Sequence, residues 1–229
     1  MNDITIIYIT ANKINDAFAK NIRQELLKAA QGLPIISVSK KPIKFGLKNL
    51  VFPGKASIYR EYKETLAGVK EAKTKYIAIA EDDSLYTPDH FAHIPHPGTF
   101  EFNIACWGIF TWVIPPIYNL KFRENHNELV CERDLYIEAM DEHFLKYPDE
   151  NNYPSKFFAE PGRYEKQLGV KKHAVTDFMS NPPIVRFSHE QCYGWATMGN
   201  LKKMGPIRAY DIPYWGSADN LLKRIYGIS

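Results

Sequence analysis

The chain has 229 residues, of which 45% are hydrophobic and 24% charged, and a formal net charge of +3. That length can bury a sizeable core without staples, and the composition is ordinary for a folded soluble protein. The mild positive charge permits a polyanionic partner without requiring one, while three scattered cysteines (Cys106, Cys131, Cys192) without CxxC spacing argue against a disulfide framework and fit a reducing cytosol.

In chain order, residues 4–9 (ITIIYI) form a continuous β-branched apolar run, the pattern of a buried parallel strand. Asn15 or Asp16 can cap a helix over 17–30, whose apolar residues Phe18, Ile22, Leu26, Leu27 and Ala30 recur at helical spacing. Residues 35–38 give a second strand, 40–53 a loop rich in Lys and Pro, and 57–72 a second helix with Ile58, Tyr62, Leu66 and Val69 on one face. A third strand over 75–80 ends abruptly in Glu81-Asp82-Asp83. The order β-turn-α-β predicts an α/β sheet.

The second half is less regular. Residues 100–111 predict one strand, 134–147 a helix, 148–161 a polar loop and 184–187 a short strand running into Ser188-His189. His90, His93 and His96 lie in the Pro-rich segment PDHFAHIPHP; their spacing resembles a metal box, but the prolines predict a non-helical loop. Residues 194–229 predict loop and a terminal helix. The amino end shows no basic-then-apolar leader, and no uncharged apolar run reaches the roughly 18 residues needed to cross a bilayer. A cytoplasmic protein without a membrane span is expected.

Glu81-Asp82-Asp83 is the most informative feature. Ligands of open α/β sheets bind beyond the carboxyl ends of strands, where this cluster falls. Consecutive carboxylates there repel one another unless a hard divalent cation such as Mg²⁺ or Mn²⁺ joins them. The competing reading is a solvated acidic turn that caps a helix. The strand before the cluster and the β-turn-α-β start favour the metal.

This layout resembles the GT-A glycosyltransferases, in particular family 2-like members, with Glu81-Asp82-Asp83 standing as an E-x-D variant of their D-x-D motif. The resemblance follows the order of elements along nearly the whole chain. It implies a single GT-A, Rossmann-like α/β domain with a mixed central sheet, residues 1–83 holding the nucleotide-sugar and 84–229 the acceptor. It implies a metal-dependent transfer from a nucleotide-sugar, taken as a UDP-sugar, with Asp83 and a carboxyl-terminal histidine, His189, as metal ligands for Mn²⁺ or Mg²⁺. Glu81 or Asp82 would face the ribose. Thr10-Ala11-Asn12 would cradle the nucleobase, and the helix beginning at Ser57 would bring Arg60 to the diphosphate, an Arg fork suiting phosphate oxygens. Arg60 paired with Glu64 one turn on is the alternative.

An inverting transfer needs a carboxylate to take the acceptor proton. Candidates are Glu101, Glu132, Asp134, Glu160 and Asp177, with Glu160 in FFAEPG and Asp134 foremost. Trp107, Tyr214 and Trp215 are candidate acceptor-stacking residues, Tyr214-Trp215-Gly216 as an exposed platform; core packing is the alternative, above all for Trp107 or Trp112. The segments EDDSLYTPDHF, FFAEPG, PPIVRFSH and IPYWG resemble a group of small phage and bacterial GT-A proteins linked to hypermodification of DNA bases, with base J glucosyltransferase a distant relative. The implied acceptor is a hydroxymethylated pyrimidine in double-stranded DNA, with basic segments at 40–48, 171–172 and 202–203 on phosphates. The other readings are a polysaccharide, lipid-linked or protein acceptor, or a non-catalytic nucleotide- or nucleic-acid-binding module. A nucleotidyltransferase would need a Gly-rich phosphate loop, and residues 9–13 contain no glycine.

Overall fold

The computed structural model describes residues 3–154, 160–188 and 205–227. The elements in order are β1 (Ile4–Thr10), α1 (Asp16–Ala30), β2 (Ile35–Ser39), β3 (Lys48–Val51), α2 (Ile58–Glu71), β4 (Tyr76–Glu81), β5 (Ser84–Leu85), α3 (Pro88–Ala92), β6 (Thr99–Asn103), β7 (Cys106–Phe110), β8 (Tyr118–Leu120), β9 (Leu129–Glu132) and α4 (Arg133–Lys146). After them come α5 (Glu165–Leu168), β10 (Ala174–Phe178), β11 (Ile184–Ser188), β12 (Arg208–Ala209), β13 (Asp211–Ile212), β14 (Gly216–Ser217) and α6 (Ala218–Tyr226).

Among the described residues the central sheet has seven strands in the order β10-β6-β9-β4-β1-β2-β3. β1, β2, β3 and β4 run parallel, and β9 enters antiparallel between β4 and β6. The fold is therefore α/β with a mixed central sheet, as the sequence predicts. β1 is buried along its whole length, which is why it shows no polar alternation. Its odd positions, Ile7 and Ile9, pack with Tyr59, Tyr62, Leu66 and Val69 of α2 and with Tyr136 and Met140 of α4. Its even positions, Ile4, Ile6 and Tyr8, pack with Leu26, Ala29 and Ala30 of α1. α2 lies so close to the sheet that a Cβ on Gly68 would stand 2.7 Å from Val38 Cγ2 and 3.1 Å from Ile7 Cγ2.

A second sheet, β12-β8-β7-β11-β5, packs through Ile109, Tyr118, Val185 and Phe187 on Phe18 and Ile22 of α1 and Leu221 and Ile225 of α6. This sheet explains where the structure departs from the sequence pattern. The single strand expected over 100–111 is two, β6 and β7, one in each sheet. At the break the Asn103 side chain accepts from Ala105 N at 3.0 Å, and Ile104 N donates to Phe178 O at 3.0 Å. The loop expected over 40–53 contains the edge strand β3, paired among the described residues only with β2, and its Lys-Asn-Leu-Val sequence carries little apolar signal. The proline-broken segment after the acidic cluster opens with the short helix α3, with Pro88 in its first turn, where a missing N–H costs nothing.

Candidate functional site

β1 sits between β2 and β4, and the chain leaves β1 toward β2 and β3 but leaves β4 toward the other half of the sheet. The crevice between the carboxyl ends of β1 and β4 is thus the topological switch point, the place where open α/β sheets bind ligands. Ile9 is in register with Glu81, so Thr10 and Asn12 meet Glu81-Asp82-Asp83 there. The Thr10 hydroxyl donates to Asp82 Oδ2 and accepts from Asn12 N at 2.9 Å. Asn12 has a left-handed backbone (φ 52°), and its side-chain oxygen accepts from Lys40 N and Lys41 N, both at 2.8 Å. The loop after β2 is thereby fastened to the end of β1.

The three carboxylates have different surroundings. Burial pushes Asp82 up to about 7; the charge of Asp83 adds to the rise and the Thr10 hydroxyl opposes it. Burial, then the charges of Asp83 and Glu61, hold Glu81 well above the usual carboxylate range, against Arg186. Asp83 is 8% exposed. Its carboxylate accepts from Ser84 Oγ at 3.0 Å, and its backbone oxygen from Phe187 N at 2.8 Å.

Arg186 is the internal countercharge. It lies on β11 opposite Ser84 of β5, and its Nη1 donates to Asn127 Oδ1 at 3.4 Å. Asn127 in turn donates to Ser84 Oγ at 2.8 Å. Burial opposes the charge of Arg186, but Asp83, Glu128, Cys106 and Glu81 outweigh it and hold the guanidinium protonated. Glu128 is fully buried, takes Asn125 Nδ2 on both oxygens at 2.8 Å, and is pushed by burial to about 7 against Arg186.

The segment before β9 supplies the remaining polar groups, with residues 125–128 (Asn-His-Asn-Glu) all buried. His126 stacks on Tyr62 with ring centroids 4.4 Å apart, and its Nε2 is 2.9 Å from Tyr136 Oη. Its Nδ1 has no hydrogen-bond partner among the described residues and stands 3.6 Å from Glu61 Oε1. One ligand atom each from Glu61, Glu81 and His126 lie within 4.8 Å of one another, and two carboxylates with an imidazole fit a divalent cation.

Other residues singled out in the sequence fall in varied places. Ser57 caps α2, accepting Arg60 N at 3.2 Å, and the Arg60 side chain pairs with Glu150 at 3.0 Å. Glu64, the alternative partner of Arg60, takes Lys40 instead. Glu160 pairs with Arg163 at 3.2 Å, and its charge also acts on Tyr62, the ring stacked on His126. Asp134 is not brought to the cluster. It opens α4 at the other end of β4, where Tyr76 faces Glu132 and Arg133 N bonds Lys75 O, and its side chain is solvent-exposed against Arg133.

Among the remaining candidate bases, Glu101 is buried and accepts from His96 N at 2.9 Å and from the rings of His93 and His96. Burial alone would raise it, but these bonds hold it below the usual carboxylate range. Glu132 accepts from Gly98 N at 2.8 Å, and Asp177 lies exposed on β10. His90, expected in a non-helical loop or on the acceptor side, lies in α3 and is buried.

Trp107 is edge-on to Tyr118 in the second sheet and packs against the cluster that contains Trp215. Of the residues of the expected platform Tyr214-Trp215-Gly216, Tyr214 is 65% exposed with φ 72°, whereas Trp215 is a core residue whose Nε1 donates to Pro183 O at 2.7 Å. His189 and residues 202–203 lie outside the described residues.

The sequence reading missed Glu61, His126, Glu128 and Arg186. The signal for two of them, His126 and Glu128, was the polar run Arg-Glu-Asn-His-Asn-Glu directly before the apolar Leu-Val-Cys of β9. A run of that kind next to a core strand must be either solvated or internally satisfied.

No family model matches the chain, and no curated protein matches it. Among solved structures, a glycosyltransferase involved in the glycosylation of the major capsid of PBCV-1 is similar over 80% of this chain and 91% of its own, with 11% identity and a TM-score of 0.42. A likeness of that degree transfers no activity. No helix among the described residues is long and apolar enough to cross a membrane.

Proposed function

We propose that the chain is a glycosyltransferase of one domain, with residues 1–83 receiving a nucleotide-sugar and 84–229 the acceptor. The observation that carries this reading is the set of buried and half-buried carboxylates at the switch point, Glu81, Asp82 and Asp83, which Arg186 balances only in part. Carboxylates held that way accept a divalent cation, Mn²⁺ or Mg²⁺, and a bound cation there would supply positive charge to a diphosphate leaving group. On this reading Thr10 and Asn12 line the base side of the crevice. The amino end of α2, with Ser57 and Arg60, faces the diphosphate, as helix amino termini favour anions. Glu81 and Asp82 lie toward the ribose, Asp83 and His189 toward the metal, and Glu160 takes the acceptor proton.

The donor is a UDP-sugar and the acceptor a 5-hydroxymethylpyrimidine in DNA, the latter resting on the four sequence segments named above. Asp134, exposed against Arg133 at the other end of β4, and Trp107 and Trp215, which pack in the cluster beneath the second sheet, have no part in this proposal. The test is UDP release from a panel of UDP-sugars with Mn²⁺, with and without duplex DNA containing 5-hydroxymethylcytosine or 5-hydroxymethyluracil. Release stimulated by modified DNA, with a matching mass gain on the nucleoside, supports donor and acceptor together. Slow metal-dependent hydrolysis indifferent to DNA removes the DNA acceptor, and no release from any UDP-sugar removes the donor.

A further inference from the structure

We infer that Glu61, Glu81 and His126 form a binding site for a first-row transition-metal dication, selective against Mg²⁺, with His126 held for that purpose by Tyr136. The inference goes beyond the transferase reading and holds whatever reaction the crevice performs. Three elements converge to make it: the first turn of α2, the end of β4 and the segment before β9. Their ligand atoms lie within 4.8 Å of one another, with Glu61 and His126 already at 3.6 Å. Two ligands on opposite sides of a metal with bonds of about 2.1 Å stand about 4.2 Å apart, so the set closes on an ion with small rotamer shifts.

The second observation is His126 itself. It is 4% exposed, and a buried ring nitrogen without a hydrogen bond is costly unless something occupies its lone pair. Nδ1 is that nitrogen, and it faces the Glu61 carboxylate. The ring cannot simply turn away, because Tyr62 stacks on its face and Tyr136 Oη holds Nε2 at 2.9 Å. With Nε2–H donating to the Tyr136 oxygen, Nδ1 presents a lone pair toward the two carboxylates. Fixing a ligating histidine through its other nitrogen is the usual device for setting tautomer and orientation. Two carboxylates cancel the charge of a dication, which makes its burial tolerable. The imidazole sets the selectivity, since nitrogen suits Zn²⁺ and Fe²⁺ best and the two carboxylates suit Mn²⁺, whereas Mg²⁺ demands near-ideal octahedral geometry and dehydrates reluctantly.

The experiment is titration of Mn²⁺ into the metal-free full chain, followed by loss of the free-ion electron paramagnetic resonance signal, with Mg²⁺ and Zn²⁺ as competitors. Saturable binding displaced by Zn²⁺ and resistant to a tenfold excess of Mg²⁺ is expected. Glu61→Gln and His126→Gln should each weaken it about tenfold or more, and Tyr136→Phe by about tenfold with the fold intact. Because His126 is buried and its variant can misfold, Glu61→Gln, on the half-exposed first turn of α2, decides the matter. A folded Glu61→Gln protein that binds Mn²⁺ with wild-type affinity overturns the site, and so does displacement by equimolar Mg²⁺. Mn²⁺ binding that depends on Glu61 without hydrolysis of any UDP-sugar keeps the site and sinks the transferase reading. Sugar transfer with Mn²⁺ binding indifferent to Glu61 does the reverse.

Discussion

The hydroxyl of Thr10, the last residue of β1, donates to the carboxylate of Asp82, just past the end of β4, and so ties together the two strands that flank the switch-point crevice. The same oxygen accepts from Asn12 N at 2.9 Å. Thr10→Val keeps the shape and removes both bonds. It should cost about 2–3 kcal/mol at pH 8, where Asp82 is ionised, and less at pH 5, because bonds to charged groups are the stronger ones. Asp82 is raised in the fold to about 7. Its own contribution therefore favours the folded state below about pH 4 and is lost as pH rises through 7. Urea unfolding of wild type and variant at the two pH values checks both statements; an equal loss at pH 5 and pH 8 would remove Asp82 from the account.

Arg186 should be the side chain in the crevice whose loss is felt most. Its removal takes away the guanidinium charge that acts on Asp83, Glu128 and Glu81, leaving Arg123 to act on Glu128. Arg186→Met should destabilise by about 3–5 kcal/mol at pH 8, the usual result of breaking a buried pair on one side. The deficit should shrink at pH 5 as Glu81 and Glu128, both raised by burial, protonate. Adding Glu128→Gln should restore at least about 1 kcal/mol, a coupling that a double-mutant cycle by thermal unfolding reads directly.

His90 gives a pH dependence of opposite sign. Burial pulls it down to about 3 from 6.5, and the charge of His93 adds to the fall. The fold keeps it neutral while the unfolded chain protonates it, so the stability it contributes is complete above pH 6.5 and lost as pH falls toward 3. His90→Gln keeps an acceptor for Asn103 Nδ2, which now bonds His90 Nδ1 at 3.0 Å. The stability difference between wild type and this variant should fall by about 3 kcal/mol from pH 6.5 to pH 4. A difference that stays constant across that range contradicts the assignment. Taking the difference cancels the trends of Asp82 and Glu128, which run the other way.

The two carboxylates first favoured as the base should part company. Asp134 lies at the far end of β4, and Asp134→Ala should leave UDP-sugar turnover within about twofold of wild type. Glu160, whose charge reaches Tyr62, should matter: Glu160→Gln should lower acceptor-dependent turnover by about 10²–10⁴-fold, the range for a lost general base. Steady-state rates of the two variants side by side decide this, and a slow Asp134→Ala with a normal Glu160→Gln would reverse the choice.

Gly68 tests the packing of α2. Alanine is the better helix former by about 1 kcal/mol, yet its Cβ would meet Val38 Cγ2 at 2.7 Å. Gly68→Ala should therefore destabilise by about 1–3 kcal/mol, the usual range for overpacking, and a rise in melting temperature would show that α2 can lift from the sheet.

The sequence by itself determined β1, α1, β2, α2 and β4. The unbroken ITIIYI run can only be a strand buried on both faces, the helix after it repeats its apolar residues at the spacing of one face, and a strand ending in Glu-Asp-Asp marks its own carboxyl end. Periodicity and turn chemistry are local, so they survive in the string of residues. What only the tertiary structure decided is non-local. Residues 100–111 look like one strand because nothing in the string says that the chain changes sheets at Ile104-Ala105. Trp215 reads as surface because its partner, Pro183 O, is far away in sequence. Above all, Glu61, Glu81, His126 with Glu128, and Arg186 come from four separate stretches. A charge that another charge compensates across the sheet looks like an ordinary solvated residue until the sheet is assembled and the water between them is gone.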